Sequence, residues 1–460
     1  MIPRGNRAGE GAGISSLRLV VGWLAGLLLA LVAGDALTGK TVKPPAAALV
    51  WENTGQPEAF GAGLGIAAAE GFVVSVGNVC TAPNSTSTCK WFVRAHDAQT
   101  GETIWEDRQD PGRFDRSQSV AIESGRVFAS GWYQLPLAAG RGSIDFVVRA
   151  YDLRDGTLLW EQHIDRGTVD FAEQIAVKDG RVFAVGRVRG VSATSDYAVF
   201  AFDAKTGSEL WESVVDVSLL DVAFAVTADR NAVYSAGLVR NVSAVLVTAR
   251  DARTGQLLWQ DEIEGGQMFL SNEGRLIAQG GRLFVAGGII SPAGDEDLFL
   301  RAYDARNGAV HWTLQLDAGG NDEFGAMDLD ANRLMAVGSD GCDENFLSCS
   351  FSVRALDSRS GTVLWTDRFQ AAPGGDANAG SAKSRGGRTF AGGNAQGADG
   401  IYQWSLRAFD ASSGTLANGE LIPDGLLNAL AVSGDLFYAT GSIAGEFVVR
   451  AYRATGSERP

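Results

Sequence analysis

Apolar and polar residues alternate over short stretches of this chain, and the alternation returns in the same order along its length. In FVVRAYDLRDGTLLWEQ, residues 146–162, Val147, Arg149 and Tyr151 fall on one face of an extended strand and Val148 and Ala150 on the other. Asp152 and Gly156 follow, and then a second short apolar run ending at Trp160. The Asp carboxylate can accept backbone N–H bonds inside the turn, and the glycine supplies the positive φ that ends it. The pattern predicts a hairpin. Near copies start at Trp91, Ala198, Val245, Leu298 and Phe351, and the turn glycine recurs at Gly101, Gly156, Gly207, Gly255, Gly308, Gly361, Gly414 and Gly456.

A second constant element lies between these phrases. It reads SGRVFASG from Ser124, DGRVFAVG from Asp179 and GGRLFVAG from Gly280, each preceded by another short apolar stretch such as QSVAIES. Each unit therefore holds four short strands and repeats about every 50 residues, a period typical of propeller or solenoid arrays. Four twisted antiparallel strands make one propeller blade. The recurrent Trp51, Trp105, Trp160, Trp211, Trp259, Trp312 and Trp365 are expected to pack between neighbouring blades. Eight third strands are present, the last within residues 447–452, and no fourth strand follows it. ALVWENTG, residues 48–55, reads as an orphan fourth strand carrying Trp51. It completes the last blade and closes the circle, which removes the exposed edges. The seventh fourth strand, TLANGELI from Thr415, has lost its Trp, so that blade is expected to be the weakest. The fold class predicted is all-β, an eight-bladed β-propeller of four-stranded antiparallel blades. Residues 1–36 form a targeting segment, 37–47 a linker, 48–453 the propeller and 454–460 a tail.

The phrase AxDxxTGxxxW, repeated with a preceding G[KR][VL]F strand, resembles the PQQ-like β-propeller repeat family. That family includes quinoprotein alcohol dehydrogenases and the non-catalytic, BamB-type assembly lipoproteins, and the resemblance spans residues 48–453. For the dehydrogenases it implies pyrroloquinoline quinone with calcium, under a disulfide between adjacent cysteines. This chain has no adjacent cysteines and no CxxCH haem motif, so it resembles the BamB-type branch more closely. The resemblance thus implies no cofactor and no catalytic residue.

Composition narrows the partners. A net charge of -15 excludes nucleic acid, whose phosphates need a basic stripe. Arg4, Arg7 and Arg18 precede an uncharged apolar run over residues 19–34, with small residues after it. This reads as a signal peptide or membrane anchor, so the chain is expected to be exported, periplasmic or secreted, with membrane contact only through that segment. Cys80 with Cys89 and Cys342 with Cys349 sit at equivalent points of their repeats and read as two hairpin-loop disulfides. His96, His163 and His311 read as strand residues, and DLDANR from Asp328 as half a calcium loop without its Gly and distal Glu. Arg94, Arg149, Arg301, Arg354, Arg407 and Arg450 share one place in strand three and read as structural ion pairs.

Aligning the units shows one further regularity. An acid stands where strand four hands over to strand one, at Glu58, Asp115, Asp170, Asp221, Asp322, Asp376 and Asp424, and Ser271 breaks the series. These acids cap N–H groups of the crossover loops, or form an electronegative ring at the channel mouth able to hold a cation or a basic segment, and the two can coexist because a capping carboxylate keeps its charge. The same face carries the loops between strands two and three, which vary most in length, and such loops on a rigid frame are where binding usually sits. The expectation is an exported, non-catalytic scaffold that binds protein partners through that face. A quinone-dependent oxidoreductase and a cation- or small-ligand-binding sensor are the alternatives.

Overall fold

Each repeat folds into the hairpins that its alternation predicts. The computed structural model describes residues 47–454, apart from 56–59, 83–87, 112–113, 136–142, 168, 191–194, 242 and 268–274, and within them the chain forms eight antiparallel sheets. The segment of residues 1–36, Glu58, Ser271 and the tail beyond 454 lie outside the described residues. Blade one comprises Phe60–Ala69, Phe72–Cys80, Cys89–Asp97 and Thr103–Gln109, hydrogen-bonded in that order. Six more blades follow the same plan; in the fifth, the inner strand runs as two pieces, Gly266–Gln267 and Leu276–Gln279, on either side of undescribed residues. The eighth takes Gly425–Ser433, Leu436–Ile443 and Glu446–Ala454 from the end of the chain, and its outer strand, Ala47–Thr54, from the beginning. Among the described residues no helix is long and apolar enough to cross a membrane.

The inner strands neighbour one another around the ring. In seven blades the inner strand shifts register at an equivalent point, at Gly63/Gly65, Ser117/Ser119, Ala172/Gln174, Ala223/Ala225, Phe324/Ala326, Ala379/Ser381 and Leu427/Ala429, and that of blade six shifts a second time at Asn321/Glu323. A bulge raises local twist and leaves backbone groups outside the ladder. Side chains just past the bulge take up such groups across the blade gap. Ile175 N donates to Ser119 Oγ (3.3 Å), Val226 N to Gln174 Oε1 (2.7 Å) and Leu430 N to Ser381 Oγ (3.0 Å).

The core lies between blades rather than within them. Eight clusters of buried apolar residues each draw on two neighbouring blades, including the pair that joins the last blade to the first. The tryptophans join these pairs at the rim. Each lies opposite a third-strand alanine, as Trp160 does opposite Ala150, and donates its indole N–H to a turn carbonyl of the next blade: Trp51 to Ala98, Trp105 to Leu153, Trp160 to Ala204, Trp211 to Ala252, Trp259 to Ala305, Trp312 to Ser358 and Trp365 to Ala411. The ring lies flat on the turn glycine of that blade, so close that a Cβ on Gly207 would sit 2.7 Å from Trp160. In blade seven Asn418 stands opposite Ala408 in the tryptophan's place.

The repeated arginines form a second set of interblade links. Arg149 pairs with Asp107 of the preceding blade and Glu161 of its own, Arg301 with Asp261, Arg407 with Asp367, and Arg450 with Glu420 and Glu52. Each preceding-blade acid stands two residues after the tryptophan position, so the partners are outer-strand acids rather than the turn Asp. Where that position is Leu314, Arg354 pairs instead with Asp340 of its own blade. The turn Asp serves its own loop: Asp97 Oδ1 accepts N–H bonds from Gln99 (2.9 Å) and Thr100 (2.8 Å), which hold its carboxyl below the usual range.

Candidate functional site

Two faces result from this topology. One carries the tight turns between strands one and two and between three and four. The other carries the crossover loops and the loops between strands two and three. Both disulfides belong to the second face: Cys80–Cys89 joins residues paired across a hairpin, and Cys342–Cys349 closes the corresponding loop of blade six. The same loops present apolar side chains to solvent. Leu219 is 71% exposed and Leu347 65%, with Val217, Leu220, Ile290, Phe346 and Ile401 also exposed. Other exposed apolar residues, such as Leu158, Leu210, Leu258 and Leu364, line the outer strands; those of the loop face stand where the loops vary most, which is where binding usually sits.

The acids predicted to ring the channel mouth are mostly shielded from solvent. Among the described acids of the series, Asp115, Asp170, Asp221, Asp322 and Asp376 are buried and Asp424 is exposed. Asp170 accepts N–H bonds from Arg166 (2.7 Å) and Arg189 (2.6 Å), Asp221 from Val217 (2.7 Å) and Ser218 (2.8 Å), and Asp322 from Ala318 (2.6 Å) and Gly341 (2.7 Å). Asp115 accepts from Gln134 N (3.0 Å) and Asp376 from the Tyr402 hydroxyl (2.8 Å). Asp170 and Asp322 tie a crossover loop to a second strand, and the others brace a loop or a neighbouring strand, because a buried loop must find partners for its backbone donors. Burial pushes Asp170 and Asp376 above the usual carboxylate range and Asp322 to about 6. The five described buried acids therefore do not form a solvent-facing ring.

The histidines and the half calcium loop lie on strands. Asp328 and Asp330 end an inner strand and accept N–H bonds from Ser384 (2.6 Å) and Gly387 (3.2 Å) of the next blade. His163 Nε2 donates to Glu161 Oε1 (2.7 Å), which raises the imidazole's pKa. His96 is fully buried in the slot that Tyr151, Phe202, Tyr303 and Phe409 fill in other blades, and neither ring nitrogen has a partner. Burial, and then the nearby Arg94, drop its pKa to about 3. The unfolded chain takes up a proton near the ordinary value of ~6.5 while the fold does not, so stability is lost as the pH falls below that value. Between pH 7 and 5 this loss is on the order of 2 kcal/mol. His96→Phe should remove that part of the acid sensitivity in urea midpoints, and an unchanged pH slope would count against a neutral buried imidazole.

Two groupings were not found by reading the sequence. Arg116, Glu173 and Arg187 meet at the junction of blades two and three, with Arg116 over Trp132 and Arg187 over Phe171. Buried acids also open the third strands of blades two, three and five, at Asp145, Asp196 and Asp297. They follow loops of unequal length, which hides their equivalence unless the alignment is anchored on the turn downstream.

For a quinone, the donor set does not fit the pattern implied by the resemblance. All four cysteines are tied into hairpin loops of separation 9 and 7, so no adjacent pair is present to cover a cofactor.

Residues 90–290 and 245–418 match the family model described as outer membrane protein assembly factor BamB. No curated protein matches the sequence. Among solved structures the chain is similar to the quinohemoprotein alcohol dehydrogenase ADHIIG of Pseudomonas putida HK5, at 13% identity over 90% of this chain and 77% of that one, with a TM-score of 0.56. It is similar to the quinohemoprotein alcohol dehydrogenase of Comamonas testosteroni at 14% identity, with the same coverage and a TM-score of 0.59. A europium-containing methanol dehydrogenase matches at 10% identity over 88% and 93% of the two chains, with a TM-score of 0.53. At these identities the likeness is one of fold.

Proposed function

The chain belongs to the family of PQQ-like repeat propellers, and we propose that it is an exported, non-catalytic scaffold that binds protein partners through its disulfide-bearing loop face. The observation that carries this reading is the set of apolar loop residues on that face, led by Leu219 and Leu347. Leu347 sits inside a disulfide-closed loop, so ordering it on binding costs less than ordering a free loop. Two closed disulfides and no free cysteine favour an oxidising compartment.

The second reading, a quinone-dependent oxidoreductase, is favoured by the solved structures of similar fold. Titrating the full chain with pyrroloquinoline quinone and calcium, while following quinone absorbance, separates the two. No saturable quinone binding is expected, and saturable quinone binding with dye-linked alcohol oxidation would replace the scaffold by the enzyme. On the scaffold reading, a photo-crosslinker at position 347 should join the protein in cells to one defined partner. Leu219→Asp should reduce that adduct at least tenfold while leaving the melting temperature unchanged, and undiminished crosslinking would sink the reading.

A further inference from the structure

The buried acids of the third strands are not isolated. Asp297 lies with Asp317 and Asp322, and one carboxylate oxygen from each falls within 4.8 Å of the others. The three come from different elements: Asp297 from the third strand of blade five, Asp317 from the loop after its outer strand, and Asp322 from the inner strand of blade six. Asp297 is 4% exposed, and its Oδ1 is buried without a hydrogen-bond partner, while its Oδ2 accepts from Gln315 Nε2 at 2.6 Å. An orphaned carboxylate oxygen in a buried acidic group is costly unless a cation meets it. Glu296 and Glu323 add negative charge nearby, against Arg275. Asp340, also close to Asp322, is taken up by Arg354 and Arg368.

We propose that Asp297, Asp317 and Asp322 bind a hard divalent cation of the calcium class at the junction of blades five and six. Calcium takes oxygens at about 2.3–2.6 Å, so two ligands of one ion lie up to about 5 Å apart, and the three oxygens meet that condition without rearrangement. Asp322 keeps a lone pair on each oxygen beyond the N–H bonds it accepts. Asp317 is exposed and gives the ion its way in.

The same spacing recurs at other junctions, although among the described residues the oxygens converge only at Asp297, Asp317 and Asp322. Asp145, Asp165 and Asp170, and Asp196, Asp216 and Asp221, repeat the spacing of Asp297, Asp317 and Asp322, twenty residues and then five. Asp145 Oδ1 is orphaned in the same way. Between blades one and two the same spacing holds Lys90, Asp110 and Asp115, and there Lys90 Nζ stands 2.8 Å from Asp110. Where one acid of the three becomes a lysine, its ammonium supplies the positive charge. Between blades two and three His163 lies 3.9 Å from Asp145 and can supply part of it.

The test uses the full chain stripped with EGTA, titrated with calcium chloride or magnesium chloride by calorimetry and followed by melting temperature. Saturable calcium binding with a rise in melting temperature is expected, and magnesium should bind at least tenfold more weakly. Asp317→Asn alters an exposed side chain and should lower the calcium stoichiometry by one or weaken that site at least tenfold. Asp297→Lys copies the first junction: it should raise the melting temperature of the stripped protein and remove the same site. Absence of calcium binding by the unaltered chain, equal binding of magnesium, or an unchanged isotherm in Asp317→Asn would each overturn the proposal. Should Asp297→Lys fail to fold, Asp317→Asn decides alone.

Discussion

Removing residues 1–54 should abolish single-step unfolding and drive the chain into dimers or larger species. The strand Ala47–Thr54 pairs with Glu446–Ala454 from Ala47↔Ala454 to Thr54↔Val448, with one bulge between Leu49 and Trp51. Its Trp51 donates to Ala98 O at 3.1 Å, and its Glu52 pairs with Arg450. Loss of a buried tryptophan alone costs about 3–5 kcal/mol, against a total of about 5–15 kcal/mol for a folded domain. The truncated chain would also bare Glu446–Ala454 as a sheet edge, which invites pairing with another copy. Urea unfolding followed by tryptophan fluorescence and by far-ultraviolet circular dichroism should give non-coincident transitions, and light scattering should report a mass above that of one chain. A monomer with coincident transitions and an unchanged midpoint would show that closure contributes little.

The second large effect concerns the tryptophan–glycine contacts. Trp160→Ala should cost about 3–5 kcal/mol. Gly207→Ala should cost nearly as much from the opposite side. Its φ of 75° strains any residue with a Cβ by about 1–2 kcal/mol, and that Cβ would meet the Trp160 ring at 2.7 Å, adding about 1–3 kcal/mol of overpacking. The two are coupled. With Trp160 already truncated the clash is gone, so Gly207→Ala should then cost only its backbone strain, about 1–2 kcal/mol. Urea midpoints of the four proteins measure the cycle, and strictly additive costs would show that ring and glycine do not touch in solution.

Much of this architecture was legible in the chain because the repeat forces agreement between levels. A period-two strand, an Asp–Gly turn and a tryptophan all had to recur together, and counting third strands led to closure through Ala47–Thr54. The surface chemistry was less legible. Asp115, Asp170, Asp221, Asp322 and Asp376 share a place in sequence, and their positions alone could not tell a solvent-facing ring from a set of loop braces. Burial decides that, and burial depends on whether the preceding loop folds over the acid. The arginines gave their pairing but not their partners, since Asp107, Asp261 and Asp367 belong to neighbouring blades and lie about 40 residues away. Asp145, Asp196 and Asp297 were masked by loops of changing length before them.

Asn418 gives the ring a direction of failure. Seven junctions carry an indole clamp to the next turn, and the junction where blade seven hands on to the blade that both ends of the chain complete has an amide in its place. That junction is bridged otherwise, by Phe390 stacked on Phe437 at 4.0 Å and by Glu420 holding Arg450 and Tyr452. A closed circle has no terminus from which to fray, so its thermal breathing must begin at the weakest bond in the loop. Here that bond adjoins the one blade whose strands come from opposite ends of the polypeptide. Amide hydrogens of residues 416–423 and 425–433 should exchange before their counterparts elsewhere, and the propeller should part there as a clasp does, along a line fixed by its sequence.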